Sequence, residues 1–221
     1  MKKDCLEIVK GKCEKCHACA LGATRTNIVF SDGNPSTAKI VLIGEAPGET
    51  EDMTGRPFVG RAGQLLSEFL AQAGISREED VYIINTVKCR PPENRVPTDE
   101  EKSACRKFLE AQIDIINPRA IVLCGATALK SFMDLDKKQT ISKVRGQWMN
   151  VSVDGKDYRA ITIFHPSYLL RNHSMEDGSP RRLMQEDLRN IKNEVLADVN
   201  HDSIDISSDN IFAESKQMSL V

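Results

Sequence analysis

The chain has 221 residues, 40% of them apolar and 28% charged, with a formal net charge of −2. These proportions suit one globular domain with a sizeable core, and they exclude a low-complexity chain and a strongly basic nucleic-acid binder. No apolar run approaches the ~20 residues of a membrane helix and Met1-Lys2-Lys3 leads into no signal-peptide core, so a cytoplasmic protein with no membrane partner is expected.

The seven cysteines of such a chain are better suited to metal or cluster binding than to disulfides, because the cytosol keeps thiols reduced. Cys13, Cys16 and Cys19 form two overlapping C-x-x-C pairs near the start, a spacing that folds two thiolates back onto one ion or cluster. Two more ligands are needed, and Cys89 and Cys105 lie downstream. Spacing alone leaves structural zinc and iron–sulfur open. Cys124 ends an apolar run and reads as a buried apolar thiol, and Cys5 as a free one.

The continuous β-branched and aliphatic run over 39–43 stops at Gly44, as expected of a strand buried on both faces. A helix is predicted over 62–73, stopped by Gly74, and a second strand over 81–84. Thr98 followed three residues later by Glu101 has capping-box spacing, and it opens a helix to Ile116 that Asn117-Pro118 closes. A third strand covers 120–123. Asp154-Gly155 marks a hairpin turn leading into a fourth over 160–163, and a last helix runs over 180–197. The alternation predicts a doubly wound α/β fold around a parallel sheet, one domain over 1–197. The remainder, 198–221, is acidic and serine-bearing and is expected to be disordered. Without it the acids fall from 32 to 27 and the bases from 30 to 29, so any nucleic-acid contact must rest on local basic clusters rather than overall charge. The candidates are Lys88, Arg90 and Arg95, then Arg171, Arg181 and Arg182.

Each predicted strand is followed at once by residues with no packing role: Gly44-Glu45-Ala46-Pro47-Gly48, Asn85, Gly125-Ala126 and His165-Pro166-Ser167. In an open parallel sheet the carboxyl ends of the strands line the ligand crevice, so these four segments should converge. Singly each has a plainer reading: His165 as a hydrogen-bonded loop residue, Phe58 as core, Asn85 as a turn or cap. The loop over 44–48 lacks the glycine spacing of a dinucleotide site and the Lys-Ser/Thr of a P-loop, which makes nucleotide hydrolysis a poor fit.

Taken together, Gly44-Glu45-Ala46-Pro47-Gly48-Glu49-Thr50-Glu51-Asp52, Gly55-Arg56-Pro57-Phe58-Val59-Gly60-Arg61-Ala62-Gly63, Asn85-Thr86-Val87-Lys88-Cys89-Arg90-Pro91-Pro92 and His165-Pro166-Ser167-Tyr168-Leu169-Leu170-Arg171 resemble, in order, the family 4 uracil-DNA glycosylases. The resemblance spans roughly Cys16 to Ala197. It implies a three-layer α/β/α sandwich around a four-stranded parallel sheet, and a monofunctional DNA-repair enzyme that flips uracil from double- or single-stranded DNA, releases the base and leaves an abasic site. It also implies a [4Fe-4S] cluster rather than zinc. Cys19-Ala20-Leu21 and the stretch from Arg25 to Val29-Phe30 fit the family pattern, which assigns the ligands as Cys16, Cys19, Cys89 and Cys105 and leaves Cys13 spare; Cys13 with Cys16 is the alternative pair.

The resemblance further implies that Phe58 stacks on the uracil, that the Asn85 amide accepts from N3–H and donates to O4, and that Ala46 lies against the base. His165 donates to O2 as negative charge grows there, Leu169 fills the emptied base stack, and Arg171 binds phosphate. The best-known uracil glycosylases place aspartate where this loop has Ala46, and related family 4 chains commonly have glycine. Glu45 and Glu51 are the carboxylates left to position water or stabilise a cationic sugar, or else to structure the loop. A monomer is expected. Two other classes compete: a non-catalytic or crosslinking DNA binder on the same fold, and an electron-transfer protein. The first would carry an added basic loop with a histidine, absent from 88–98, and the second leaves the strand-end motifs unexplained.

Overall fold

The computed structural model describes residues 1–133 and 140–197. The acidic stretch from Asp198 onward, expected to be disordered, lies outside the described residues.

The chain opens with helix α1 (Lys2–Glu14) and a 3₁₀ turn (Ala20–Ala23), then enters β1 (Ile40–Gly44), α2 (Glu49–Thr54), α3 (Arg61–Ala73) and β2 (Val81–Asn85). It continues through α4 (Asp99–Ile116), β3 (Ala120–Cys124), α5 (Ala126–Lys130), α6 (Ile141–Val144), β4 (Trp148–Val153), β5 (Lys156–Ile163), α7 (Pro166–Leu169) and α8 (Pro180–Ile191), which runs on as a π turn to Leu196. The strands order as β2-β1-β3-β5-β4. Four are parallel, with Ile40 beside Val81 and Ala120, and Ile121 beside Ala160. The Asp154-Gly155 hairpin forms as the sequence suggests, and the strand before it adds a fifth, antiparallel edge strand, β4, on β5.

All five residues of each of β1, β2 and β3 are buried, which is why these runs show no polar alternation. Period two still sorts their side chains between two cores. Val41, Ile43, Ile121 and Leu123 face the layer of α1, α4 and α5, while Ile40, Leu42, Ala120 and Val122 face α3 and α8. The expected helix stops are present: Gly74 is left-handed at φ +71 and Asn117 at φ +46. At the start of α4 the Thr98 hydroxyl accepts from the Glu101 amide, and the Glu101 carboxylate accepts from the Thr98 amide.

Helices α1, α2, α5, α6 and α7 escape the sequence reading. In α1 only Leu6 and Cys13 are buried, too few for a visible apolar stripe. Half of the six residues of α2 are acidic, and they stay helical because Glu51 and Asp52 spend their carboxylates on neighbouring loops.

Candidate active site and cysteine centre

The chain leaves β1 toward β2 on one side and returns to β3 on the other, so the strand order reverses between β1 and β3. A cleft of about 520 Å³ opens at that reversal, over the carboxyl ends of the strands. Its lining draws on all four segments singled out in the sequence: Glu45, Ala46, Phe58, Asn85, Gly125 and His165 meet there. Pro91, Asn94 and Arg95 also line it, from the loop after β2.

Asn85, the last residue of β2, is 1% exposed, and its Oδ1 is buried with no hydrogen-bond partner among the described residues. A buried amide oxygen left unpaired costs about 1–3 kcal/mol, so a ligand donor that meets it recovers that penalty. The Phe58 ring and the Asn85 amide both close on Gly44. A Cβ on Gly44 would sit 2.4 Å from Asn85 Oδ1 and 2.5 Å from Phe58 Cε2, so only glycine allows this approach. Phe58 itself holds φ at +52, a conformation costing about 1–3 kcal/mol for a bulky residue. Gly63 makes room for it, since a Cβ there would lie 2.0 Å from the Phe58 carbonyl.

Across the cleft, the His165 ring centroid is 5.8 Å from that of Phe58, tilted by 41°. Its Nδ1 accepts from the Ser167 amide at 3.2 Å and lies 2.7 Å from the Ser167 hydroxyl. A ring nitrogen that accepts an N–H carries no proton, so the imidazole is neutral with its proton on Nε2. Desolvation acts in the same direction, holding the His165 pKa down at about 4 against the opposing pull of Glu51.

The two carboxylates of the loop differ in their commitments. Glu51 accepts from the amides of Gly48 at 3.1 Å, Val59 at 2.9 Å and Gly60 at 2.7 Å, tying the first loop to the one that carries Phe58. The Glu45 carbonyl accepts from the Thr86 hydroxyl at 2.5 Å, whereas its carboxylate makes no hydrogen bond or ion pair among the described residues.

Leu169 is a correction. It is completely buried between Phe164, Met184 and their neighbours, because α7 turns its apolar face onto the core beneath α8. The exposed apolar side chain of this turn is Tyr168, 41% exposed, its ring 5.3 Å from Phe164, and Arg171 lies exposed beyond it. The basic candidates lie in differing surroundings. Lys88 is fully buried, and Arg181 spends its guanidinium on the Leu169 and Asn172 carbonyls. Arg95 pairs with Glu101 at 2.6 Å, and Arg90 holds Asn94 and Glu49.

A second recess, on the α1–α4 side, is lined by Cys13, Cys16, Cys19, Cys89 and Cys105 with Arg25 and Lys88. Among the described residues no three metal-binding side chains converge tightly enough for a single ion; the thiols ring the recess instead. Burial pushes the Cys13 thiol up to about 12 and Cys89 to about 11, the latter opposed by Arg25, whose Nη1 lies 3.5 Å from Cys89 Sγ. Thr26 and Asn27 then donate backbone amides to Asp52, which ties the cysteine segment to α2. Cys124 is buried, as read, and Cys5 is exposed.

Sequence reading named Gly44, Gly63 and Ser167 within their motifs but gave none of them a role of its own. The serine had a visible signal, a hydroxyl residue two positions after a histidine at a helix start; the glycines had none without the fold.

Residues 30–189 match the model of the uracil DNA glycosylase superfamily. The type-4 uracil-DNA glycosylase of Thermotoga maritima is 55% identical over 194 residues, covering 86% of this chain and 95% of that one. That of Archaeoglobus fulgidus is 46% identical over 157 residues, 70% and 78% of the two chains. That of Saccharolobus solfataricus is 40% identical over 193 residues, 86% of each.

Proposed function

The chain belongs to the uracil DNA glycosylase superfamily, and we propose a division of labour by which its cleft releases uracil from DNA. Its activity is that of a monofunctional uracil-DNA glycosylase, a DNA-repair hydrolase of N-glycosyl bonds. The unpaired Oδ1 of Asn85 carries the proposal for the base: it accepts from uracil N3–H while the amide nitrogen donates to O4. Cytosine presents the reverse pattern, an acceptor at N3 and a donor at C4, and would leave the buried amide mismatched. Phe58 covers the base face, and Ala46 lies beside it.

As the bond between N1 and C1′ breaks, the electron pair leaves with uracil and charge gathers on O2. The Nε2–H of a neutral His165 suits that oxygen, because burial keeps the ring uncharged and the bond to Ser167 keeps its proton on Nε2, a fixed donor where the anion develops. Water adds hydroxyl to C1′ and its proton leaves with the base or solvent. Glu45, with an uncommitted carboxylate at the cleft, is assigned to hold that water or the cationic sugar, and Glu51 to hold the loops. Tyr168 and Arg171 form the DNA-facing rim, the tyrosine against the vacated stack and the arginine on phosphate.

The cysteine ring is assigned to a [4Fe-4S] cluster held by Cys16, Cys19, Cys89 and Cys105. Thiols lining one recess beside Arg25 and Lys88 suit a negatively charged, thiolate-bound group. When bound it would join the amino-terminal segment to α4 and the loop after β2. The partner is uracil-bearing DNA in either strand form, with the protein acting as a cytoplasmic monomer.

The test is incubation with single-stranded and U:G oligonucleotides followed by alkali. Wild-type protein should cut at uracil and leave cytosine intact, and Asn85→Ala should lose at least a hundredfold in rate; unchanged cleavage by that variant would refute the assignment. Absorbance near 400 nm and iron content, lost in Cys16→Ala and Cys105→Ala, test the cluster.

A further inference from the structure

Lys88 is the only lysine or arginine buried among the described residues, with no exposure at all. Its Nζ donates to the Asn85 backbone carbonyl at 2.8 Å. Among the described residues no carboxylate faces it; the groups around it that can carry negative charge are the thiols of Cys13, Cys89 and Cys105. One carbonyl returns far less than the desolvation of an ammonium costs, so the fold lacks a counter-charge at this point unless the thiols supply it. Metal-bound cysteines are thiolates, and four of them around an iron–sulfur core leave net negative charge beside Lys88.

We propose that Lys88 is a positioning residue that joins the two sites, serving as internal counter-ion to the thiolate-bound cluster while its hydrogen bond sets the backbone from which Asn85 reads uracil. The inference rests on the cluster assignment above. It gives the recess a part in base recognition: the cluster charge holds the ammonium, the ammonium holds the Asn85 carbonyl, and the amide keeps its aim beneath Gly44. Asn85 tolerates little displacement, since Phe58 and the β1 backbone already crowd its side chain.

The experiment compares wild type, Lys88→Met and Lys88→Arg for iron content, absorbance near 400 nm, cluster reduction potential and inhibition by free uracil. Loss of a nearby positive charge disfavours the reduced cluster, so Lys88→Met should show a more negative potential and an inhibition constant for uracil raised about tenfold. Affinity for uracil-free DNA should stay within twofold. Lys88→Arg, keeping the charge, should stay near the wild-type potential. Iron retained in Lys88→Met with potential and uracil inhibition both unchanged would reduce Lys88 to packing and overturn the inference alone. Wild-type protein devoid of iron would overturn the cluster assignment as well. Should neither variant fold, wild-type protein stripped of iron by a chelator decides: weakened uracil inhibition supports the link, and unaltered inhibition overturns it.

Discussion

Replacing His165 by alanine removes the one ring donor at the cleft while leaving its partners, Ser167 and the start of α7, in place. Donors fixed where transition-state charge develops contribute about 2.7–4 kcal/mol, and at about 1.36 kcal/mol per decade that is a hundred- to a thousandfold in rate. The loss should fall on the chemical step, because the interaction strengthens only as O2 becomes anionic. Single-turnover uracil release with enzyme in excess measures that step, and fluorescence anisotropy with a non-hydrolysable uridine measures binding, which should change by less than threefold. The same geometry fixes the pH behaviour. With Nδ1 accepting from the Ser167 amide and the pKa held near 4, the active neutral ring persists throughout neutral pH. Protonation on acidification breaks that hydrogen bond, so the wild-type rate should hold steady from about pH 8 to pH 5 and fall only as the pH nears 4. The folded pKa lies below the unfolded value of 6.5, so acidification through that window also favours the unfolded chain. A rate limb near pH 6.5 that disappears in His165→Ala would show an ordinary solvated histidine and refute the reasoning, as would a variant slowed less than threefold.

Leu169→Ala should lose about 2–5 kcal/mol of stability as a core cavity, read as a lower melting temperature, whereas Tyr168→Ala should keep its stability and lose activity on duplex far more than on single strands. Gly44→Ala should fold but lose uracil inhibition, since its Cβ would meet Asn85 Oδ1 and the Phe58 ring; calorimetric titration with uracil checks this. Glu51→Gln should lower melting temperature and activity together, with charged hydrogen bonds of about 1.5–3 kcal/mol at stake. Glu45→Gln should lower the rate with melting temperature unchanged, and the reverse pattern for this pair would exchange their roles.

Much of this protein was legible in the chain. The unbroken aliphatic runs before Gly44, Asn85 and Gly125 specified buried parallel strands, because only a sheet covered on both faces tolerates them. Residues at strand ends without packing roles then marked the cleft, and Phe58, Asn85 and His165 meet there. Tertiary structure decided the rest, for reasons local pattern cannot carry. Whether Leu169 or Tyr168 faces solvent depends on how a four-residue helix is rotated against α8. Whether Glu45 or Glu51 is free depends on amides from a loop eight and nine residues away in sequence. Lys88 sits in a basic-looking run yet points inward, because only the folded chain places its ammonium between the Asn85 carbonyl and three cysteines. Composition and periodicity state which residues are apolar and where chains turn; the partner each polar group finds is set by contacts between segments that the sequence keeps apart.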